Sequence, residues 1–291
     1  MVAMDGGALV IGESLVDIVR TADGVTTERP GGSAANVAVA LARLGRPVRF
    51  VTAYADDDRG QVIARHLADS GVGLEGDPRI LARTSSAMAT IQPDGSATYS
   101  FDLDWRLGPI AAGAPQFVHV CSLGAVVQPG ADDVLGILAE LPETATISYD
   151  INARPAVTGT GPDLVAAVER VAAVAHVVKA SDEDLAVLYP TFGLAEAAEH
   201  LLGFGPRAIV LTRGEGGATW ITETGEVSVE STPVTVVDTI GAGDTFSAAL
   251  VDALWDDIER DPAEALTHAA RAAGITVSRP GADPPYRHEL G

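Results

Sequence analysis

Short apolar runs alternate with helix-period patterns along most of the chain, and this rhythm narrows the choice of fold more than any other feature. "ALVIGE" (8–13) reads as a buried strand, "SAANVAVALARLG" (33–45) as a helix closed by Gly45, "VRFVTAY" as a strand, and "GQVIARHLADSG" as a helix closed by Gly71. The strand candidates "FVHVCSL", "ATISYD", "HVVKAS" and "RAIVLT" follow, separated by helical patterns near 131–140, 162–174 and 194–202. Strands without polar alternation need cover on both faces. The pattern therefore predicts an α/β fold, with a mostly parallel central sheet between layers of helices. A length of 291 residues allows one large domain or two small ones. No repeat, low-complexity tract or linker divides the chain, so a single domain over 1–291 is expected.

Two stretches break the rhythm. "SLVDIVRTADGVTTERPGG" puts no helix between the first strand and the first helical pattern, and "SSAMATIQPDGSATYSFDLDW" reads as two alternating strands around an Asp94-Gly95 turn. Segments near 14–30 and 85–105 are thus expected to form a small β layer projecting from the α/β body. Ligands of open α/β sheets bind at the carboxyl ends of the strands, where such a layer serves as a lid.

Charge and cysteine usage exclude several functions. A net charge of −21 leaves no basic face for nucleic acid. An anionic ligand must then be met locally, by backbone N–H groups, a few arginines or a divalent metal. The lone cysteine, Cys121, excludes an internal disulfide and reads as a small buried residue, in keeping with a reducing, cytoplasmic setting. Glu169, Arg170 and His176 interrupt the longest apolar tract, and Glu13 and Asp17 the first one, so neither a membrane span nor a targeting segment is expected.

"DTIGAGDTFSAALVDALW" (238–255) places a Gly-Ala-Gly turn and an acid ahead of Phe246, Leu250, Leu254 and Trp255 at helical spacing. The N–H groups of Gly241, Ala242 and Gly243 lack intrahelical acceptors and lie at the positive end of the helix dipole, an arrangement suited to an anion. A plain capping carboxylate is the competing explanation of Asp244. A cap, however, needs neither two glycines nor a second acid at Asp238. No Walker motif occurs, and no Gly-x-Gly-x-x-Gly follows the first strand.

"GGSAANVAVALARLG" and "DTIGAGDTFSAALV" together closely resemble the paired signatures of the ribokinase-like carbohydrate kinases, the PfkB family, and the resemblance extends over essentially the whole chain. It implies a ribokinase-like three-layer α/β/α sandwich with a small β-sheet lid. The implied activity is transfer of the γ-phosphoryl group of MgATP to a primary hydroxyl of a small sugar. Asp244 would be the general base, with Gly241, Ala242 and Gly243 as the anion hole. The resemblance assigns Asp17, Gly31, Gly32 and Asn36 to the sugar. "DINARP" resembles a stretch common in bacterial fructokinases and adds Asp150, Asn152 and Arg154 to the cleft. "TRGEGG" puts Thr212, Gly214 and Gly217 near the ATP phosphates and ribose.

"KASDED" stands at an altered family motif. Its Ser181 would lie near the phosphates, and Asp184 would reach magnesium through water. Lys179, the only lysine, is read either as a phosphate contact or as an exposed strand-end residue. Asp238 with "RPGADPP" resembles a potassium site, although Pro285 replaces a serine that ribokinases can offer. Ala55 also departs from the family, standing where a glycine is usual.

Ser33 and "DINARP" favour a neutral ketose such as fructose. Asp102 and Asp104 would repel the carboxylate of 2-keto-3-deoxygluconate, while ribose and nucleosides stay open. A catalytically silent sugar-binding regulator is the reading from another class, and the intact Gly-Ala-Gly-Asp argues against it. Family members commonly dimerise through the lid, which leaves a homodimer open here.

Overall fold

Strand-by-strand burial explains why the apolar runs lack polar alternation. In the computed structural model, which describes residues 6–92 and 96–291, β1 (Ala8–Ile11) sends Ala8 and Val10 into one hydrophobic core and Leu9 and Ile11 into a second. Both faces of the strand are thus covered. The expected Asp94-Gly95 turn lies outside the described residues.

The remaining strands, in chain order, are β2 (Leu15–Arg20), β3 (Thr26–Gly31), β4 (Val48–Val51), β5 (Gly73–Leu74), β6 (Ser86–Ile91), β7 (Ala97–Asp102), β8 (Phe117–Cys121), β9 (Thr146–Asp150), β10 (Val177–Ser181), β11 (Ala208–Thr212), β12 (Ala218–Thr222) and β13 (Gly225–Val229). Among the described residues nine of the thirteen form one sheet, ordered β13-β12-β11-β10-β9-β8-β1-β4-β5. Its pairs from β11 through β5 are parallel, and the β11–β12 and β12–β13 pairs at one edge are antiparallel. The other four strands form a small sheet, β3-β2-β6-β7, built from the two segments that broke the helical rhythm.

Helices α1 (Ser33–Arg43), α2 (Asp58–Asp69), α3 (Ser122–Val126), α4 (Gly130–Ala139), α5 (Pro155–Thr158), α6 (Pro162–Ala172), α7 (Asp182–Leu188), α8 (Leu194–Leu202), α9 (Ala242–Ala253) and α10 (Pro262–Val277) complete the fold. Helices α1, α9 and α10 pack on one face of the large sheet, and α4, α6, α7 and α8 on the other. The α/β/α layering follows from that division. Among the described residues no helix is long and apolar enough to cross a membrane.

Helix α9 lies between α1 and α10, and every residue from Asp244 to Ala253 is buried. Phe246 and Leu250 supply the apolar stripe, and Trp255, just past the helix end, stacks on Phe117 with ring centroids 5.6 Å apart. Truncating a buried leucine such as Leu250 to alanine costs about 2–5 kcal/mol. The same embedding carries Asp244 into a water-poor environment.

Several elements lie outside the periodicity argument, namely α3, α5, α7, α10, β5 and the β12–β13 hairpin. Helix α7 spans only seven residues and opens with three acids, Asp182, Glu183 and Asp184, too short and too polar at its start to show a helical apolar period. The β12–β13 hairpin is a sheet edge whose outer strand is largely exposed, so it lacks the continuous apolar run of the inner strands.

Candidate active site

Gly241 starts α9 in the left-handed region at φ 76°, and a Cβ built on it would lie 2.6 Å from the Cβ of Ala282. No side chain caps this helix. Asp244 therefore does not have the capping role that competed for it. Its Oδ1 accepts a hydrogen bond from Ser33 Oγ at 2.6 Å, and its Oδ2 accepts one from Asn36 Nδ2 at 2.7 Å. Both donors belong to α1. Asn152 Nδ2 donates to Ser33 Oγ at 2.8 Å and lies 3.5 Å from Asp244 Oδ1. Asn152 adopts a φ of 40°, and its carbonyl accepts a 3.1 Å hydrogen bond from Ser122 Oγ. Burial raises the Asp244 pKa above the usual carboxylate value, the charge of Asp150 adds to the rise, and the Ser33 and Asn36 bonds and Arg154 oppose it. The net effect is a carboxylate with increased proton affinity.

Asp17 lies on β2 in the small sheet, and the charges of both Asp244 and Arg154 act on it. Although the residue as a whole is exposed, the surrounding walls strip enough water from its carboxyl to push the pKa up to about 6, with the Asp244 charge adding and Arg154 opposing. A Cβ at Gly31 would fall 2.1 Å from Asp17 Oδ2, so this glycine makes room for the carboxylate. Gly32 has a different constraint. Its φ is 101°, and a Cβ there would lie 2.8 Å from the Glu13 carbonyl oxygen. Asp17, Asn36, Asn152, Arg154 and Asp244 thus come from four separate parts of the chain to one cleft.

Asp150 requires a correction. It was expected to face the sugar cleft, but it is completely buried and both its oxygens accept from Lys179 Nζ at 2.9 Å. Ser247 Oγ on α9 donates to Oδ2 at 2.8 Å. The reason is register: Asp150 and Lys179 are direct partners on parallel strands β9 and β10, and α9 packs over that face. Burial alone would lower the Lys179 pKa, but the Asp150 carboxylate outweighs it and holds the pKa above the ordinary lysine value. Lys179 is itself buried, which removes the exposed strand-end reading.

At the start of α9 a cavity of about 690 Å³ is lined by Lys179, Thr212, Gly214, Gly217, Ala242 and Gly243, with Pro233, Val234, Phe246 and Val277 among its apolar walls. Gly217 has a φ of 80°, and a Cβ on it would meet the Val229 carbonyl at 2.1 Å, so the loop lies against β13. Ser181 and Asp184 are not among the cavity's lining residues. They form the capping box of α7, in which Ser181 Oγ accepts from the Asp184 N–H at 3.0 Å and Asp184 Oδ2 from the Ser181 N–H at 2.8 Å. Asp184 Oδ1 accepts from the Ala153 N–H at 2.7 Å. Asp238 ties the turn to the C-terminal loop, accepting from the N–H groups of Ile240 at 3.0 Å and Gly281 at 2.8 Å.

Two polar contacts at this site were not anticipated from the sequence. Ser33 stood in the first signature with nothing to mark it as a donor to Asp244, and Ser247 lay inside an apolar helical run.

A family model described as pfkB family carbohydrate kinase matches residues 7–289. The chain is 34% identical over 266 residues to a fructokinase from Rhizobium leguminosarum bv. trifolii, covering 86% of this chain and 80% of that protein. The crystal structure of aminoimidazole riboside kinase from Salmonella enterica, complexed with aminoimidazole riboside and an ATP analog, superposes with a TM-score of 0.84 at 27% identity over 97% of this chain and 98% of the other. Fructokinase from Vibrio cholerae O395, bound to fructose, ADP and calcium, gives 0.81 at 28% identity over 96% and 94%.

Proposed function

The chain belongs to the pfkB family of carbohydrate kinases, and on that basis we propose that it transfers the γ-phosphoryl group of ATP to the primary hydroxyl of a small neutral sugar, fructose foremost. The observation that carries this reading is the position of Asp244. Its buried carboxylate is held by Ser33 and Asn36 at the start of an uncapped helix whose first residues, Ala242 and Gly243, also line the cavity that contains Lys179, and its charge acts on Asp17 of the cleft.

In this mechanism Asp244 orients the sugar hydroxyl and takes its proton as the new O–P bond forms, while the bond from the γ-phosphorus to its bridging oxygen breaks and ADP leaves. The N–H groups of Gly241, Ala242 and Gly243 stabilise charge on the transferring group. The Ala242 N–H makes only a long 3.3 Å bond to the Thr239 carbonyl, which an incoming oxygen can displace. Lys179 presents its ammonium at the same end of the cavity. Asp17 and Asn36 hold the remaining hydroxyls, a carboxylate and an amide being suited to a polyol. The small sheet acts as a lid that excludes competing water.

Magnesium, when bound with ATP, neutralises charge on the phosphates. Asp184 would hold it through water, since both of its oxygens already accept backbone N–H groups. Asp238 and the Gly281 loop would hold potassium beside the α9 turn, and activity in potassium against sodium tests that. A homodimer would form on the exposed side of the small sheet, where Val19, Tyr99 and Phe101 are uncovered. Sedimentation reads that state.

The decisive experiment is a coupled ADP-release assay with fructose, ribose, 2-keto-3-deoxygluconate and aminoimidazole riboside. Fructose is expected to give the highest kcat/KM. Preference for another arm moves the substrate, and ADP release with none supports the silent regulator.

A further inference from the structure

Glu13 is a buried carboxylate that the phosphoryl-transfer mechanism does not use. It sits between β1 of the large sheet and β2 of the small one, only 5% exposed. Oε1 accepts from the Ser33 N–H at 3.1 Å, and Oε2 accepts from the Gly124 N–H at 2.8 Å. Among the described residues no cation pairs with it within salt-bridge distance. Burial pushes its pKa up to about 7, the charge of Asp244 adds to that, and the backbone hydrogen bonds oppose it. A carboxylate placed so deep without a cation is expensive to bury, and an apolar side chain would fill the same space at less expense. What the carboxylate supplies is two acceptors for two converging backbone donors.

The surrounding glycines show how closely this group is fitted. A Cβ on Gly124 would lie 2.7 Å from Gly12 Cα and 3.1 Å from Glu13 Oε2. A Cβ on Gly12 would lie 2.5 Å from the Cβ of Ala34. Helix α1 has no side chain on its N-cap, Gly32, and no acid in its first turn. Glu13, from twenty positions upstream, takes over the acceptor role that a capping residue normally fills. The residue it holds is Ser33, whose hydroxyl donates to Asp244 and accepts from Asn152.

We propose that Glu13 is a positioning residue for phosphoryl transfer, fixing the first turn of α1 so that Ser33 and Asn36 aim Asp244 at the acceptor hydroxyl. The proposal rests on Asp244 as the base. It is tested by a double-mutant cycle on the full chain, with kcat and both KM values measured per folded enzyme for wild type, Glu13→Gln, Ser33→Ala and the double variant. Glu13→Gln is expected to lower kcat about tenfold, since small misplacements of a reacting group have effects of this size or larger, and to leave the ATP KM within about twofold. The double variant should be no worse than Ser33→Ala alone, because both substitutions break one chain of contacts. Losses that multiply in the double variant overturn the proposal, as does an unchanged kcat in Glu13→Gln. If Glu13→Gln fails to fold, Glu13→Asp, which keeps the charge but shortens the reach, takes its place in the same cycle. Failure of the underlying reading is separately visible, since Asp244→Asn would then retain normal turnover.

Discussion

Lys179, the only lysine of the chain, places its Nζ 2.9 Å from both carboxylate oxygens of Asp150, and the two side chains are 6% and 0% exposed. The pair lies under α9, and a Cβ on Gly243 would be 3.5 Å from the ammonium. The lysine is thus fixed and kept charged at the boundary between the cavity and the turn that precedes Asp244.

Lys179→Met should leave Asp150 buried and unpaired and lower stability by about 3–5 kcal/mol, the range for breaking one side of a buried ion pair. Thermal or urea unfolding measures it. The double variant Lys179→Met with Asp150→Asn should lose less than the sum of the two single losses. Full stability in Lys179→Met would contradict the pairing.

Asp244→Asn should reduce kcat by roughly 10²-fold to 10⁴-fold, the range for removing a general base. Its stability should move the other way. The raised folded-state pKa means that ionised Asp244 opposes folding at pH values above that pKa, so the neutral amide should match or exceed the wild-type melting midpoint at pH 8. A variant that is both inactive and strongly destabilised would show that the carboxylate holds the fold instead.

Gly31→Ala and Gly32→Ala should fail differently despite being neighbours. At Gly31 the added methyl meets the end of the Asp17 side chain, which can rotate away, so the protein should fold while the sugar KM rises about tenfold or more, the equivalent of one lost charged hydrogen bond. At Gly32 the methyl meets backbone at a φ of 101°, and the expected result is lower folded yield and a lower melting midpoint. Steady-state kinetics and thermal unfolding of the two variants separate these outcomes.

Sugar affinity should depend on pH through Asp17. Ionised above its pKa of about 6, the carboxylate accepts from two hydroxyls, and protonation as pH falls through 6 removes part of that capacity. The sugar KM should therefore rise between pH 7 and 5 while the ATP KM holds steady. Asp17→Asn should raise the sugar KM throughout and flatten its pH dependence. An unchanged pH profile in that variant would assign the titration to another group.

The sequence displayed those parts of the site whose signal is local. The Gly-Ala-Gly turn and Asp244 lie on consecutive residues; helix-end physics marks the turn as suited to an anion, and the role of Asp244 as base is what the family resemblance implies. Strands β1, β8, β9, β10 and β11 were legible because burial on both faces leaves continuous apolar runs. Asp150 was misplaced for the complementary reason. Its partner is set by strand register across β9 and β10, and nothing in "DINARP" or "KASDED" encodes that Asp150 lies opposite Lys179. Asn36 was assigned to sugar hydroxyls, and the structure adds a bond to Asp244 that only the packing of α1 on α9 creates. Ser181 and Asp184 carry the pattern of a capping box as well as the altered family motif, and the box is what their side chains form.

Ser33 and Asp244 touch although 211 positions separate them. During synthesis from the N-terminus, the cleft residues Asp17 and Asn36 are made before Asp244, the proposed base, and the turn that precedes it. A nascent or prematurely terminated chain can thus contain most of the sheet and the sugar-side groups without the proton acceptor. Its core is also incomplete, because the helix that brings Asp244 is the one lying between α1 and α10. Acquisition of turnover and closure of that core are therefore expected as a single event, and chains cut short before α9 should be inert and unstable together.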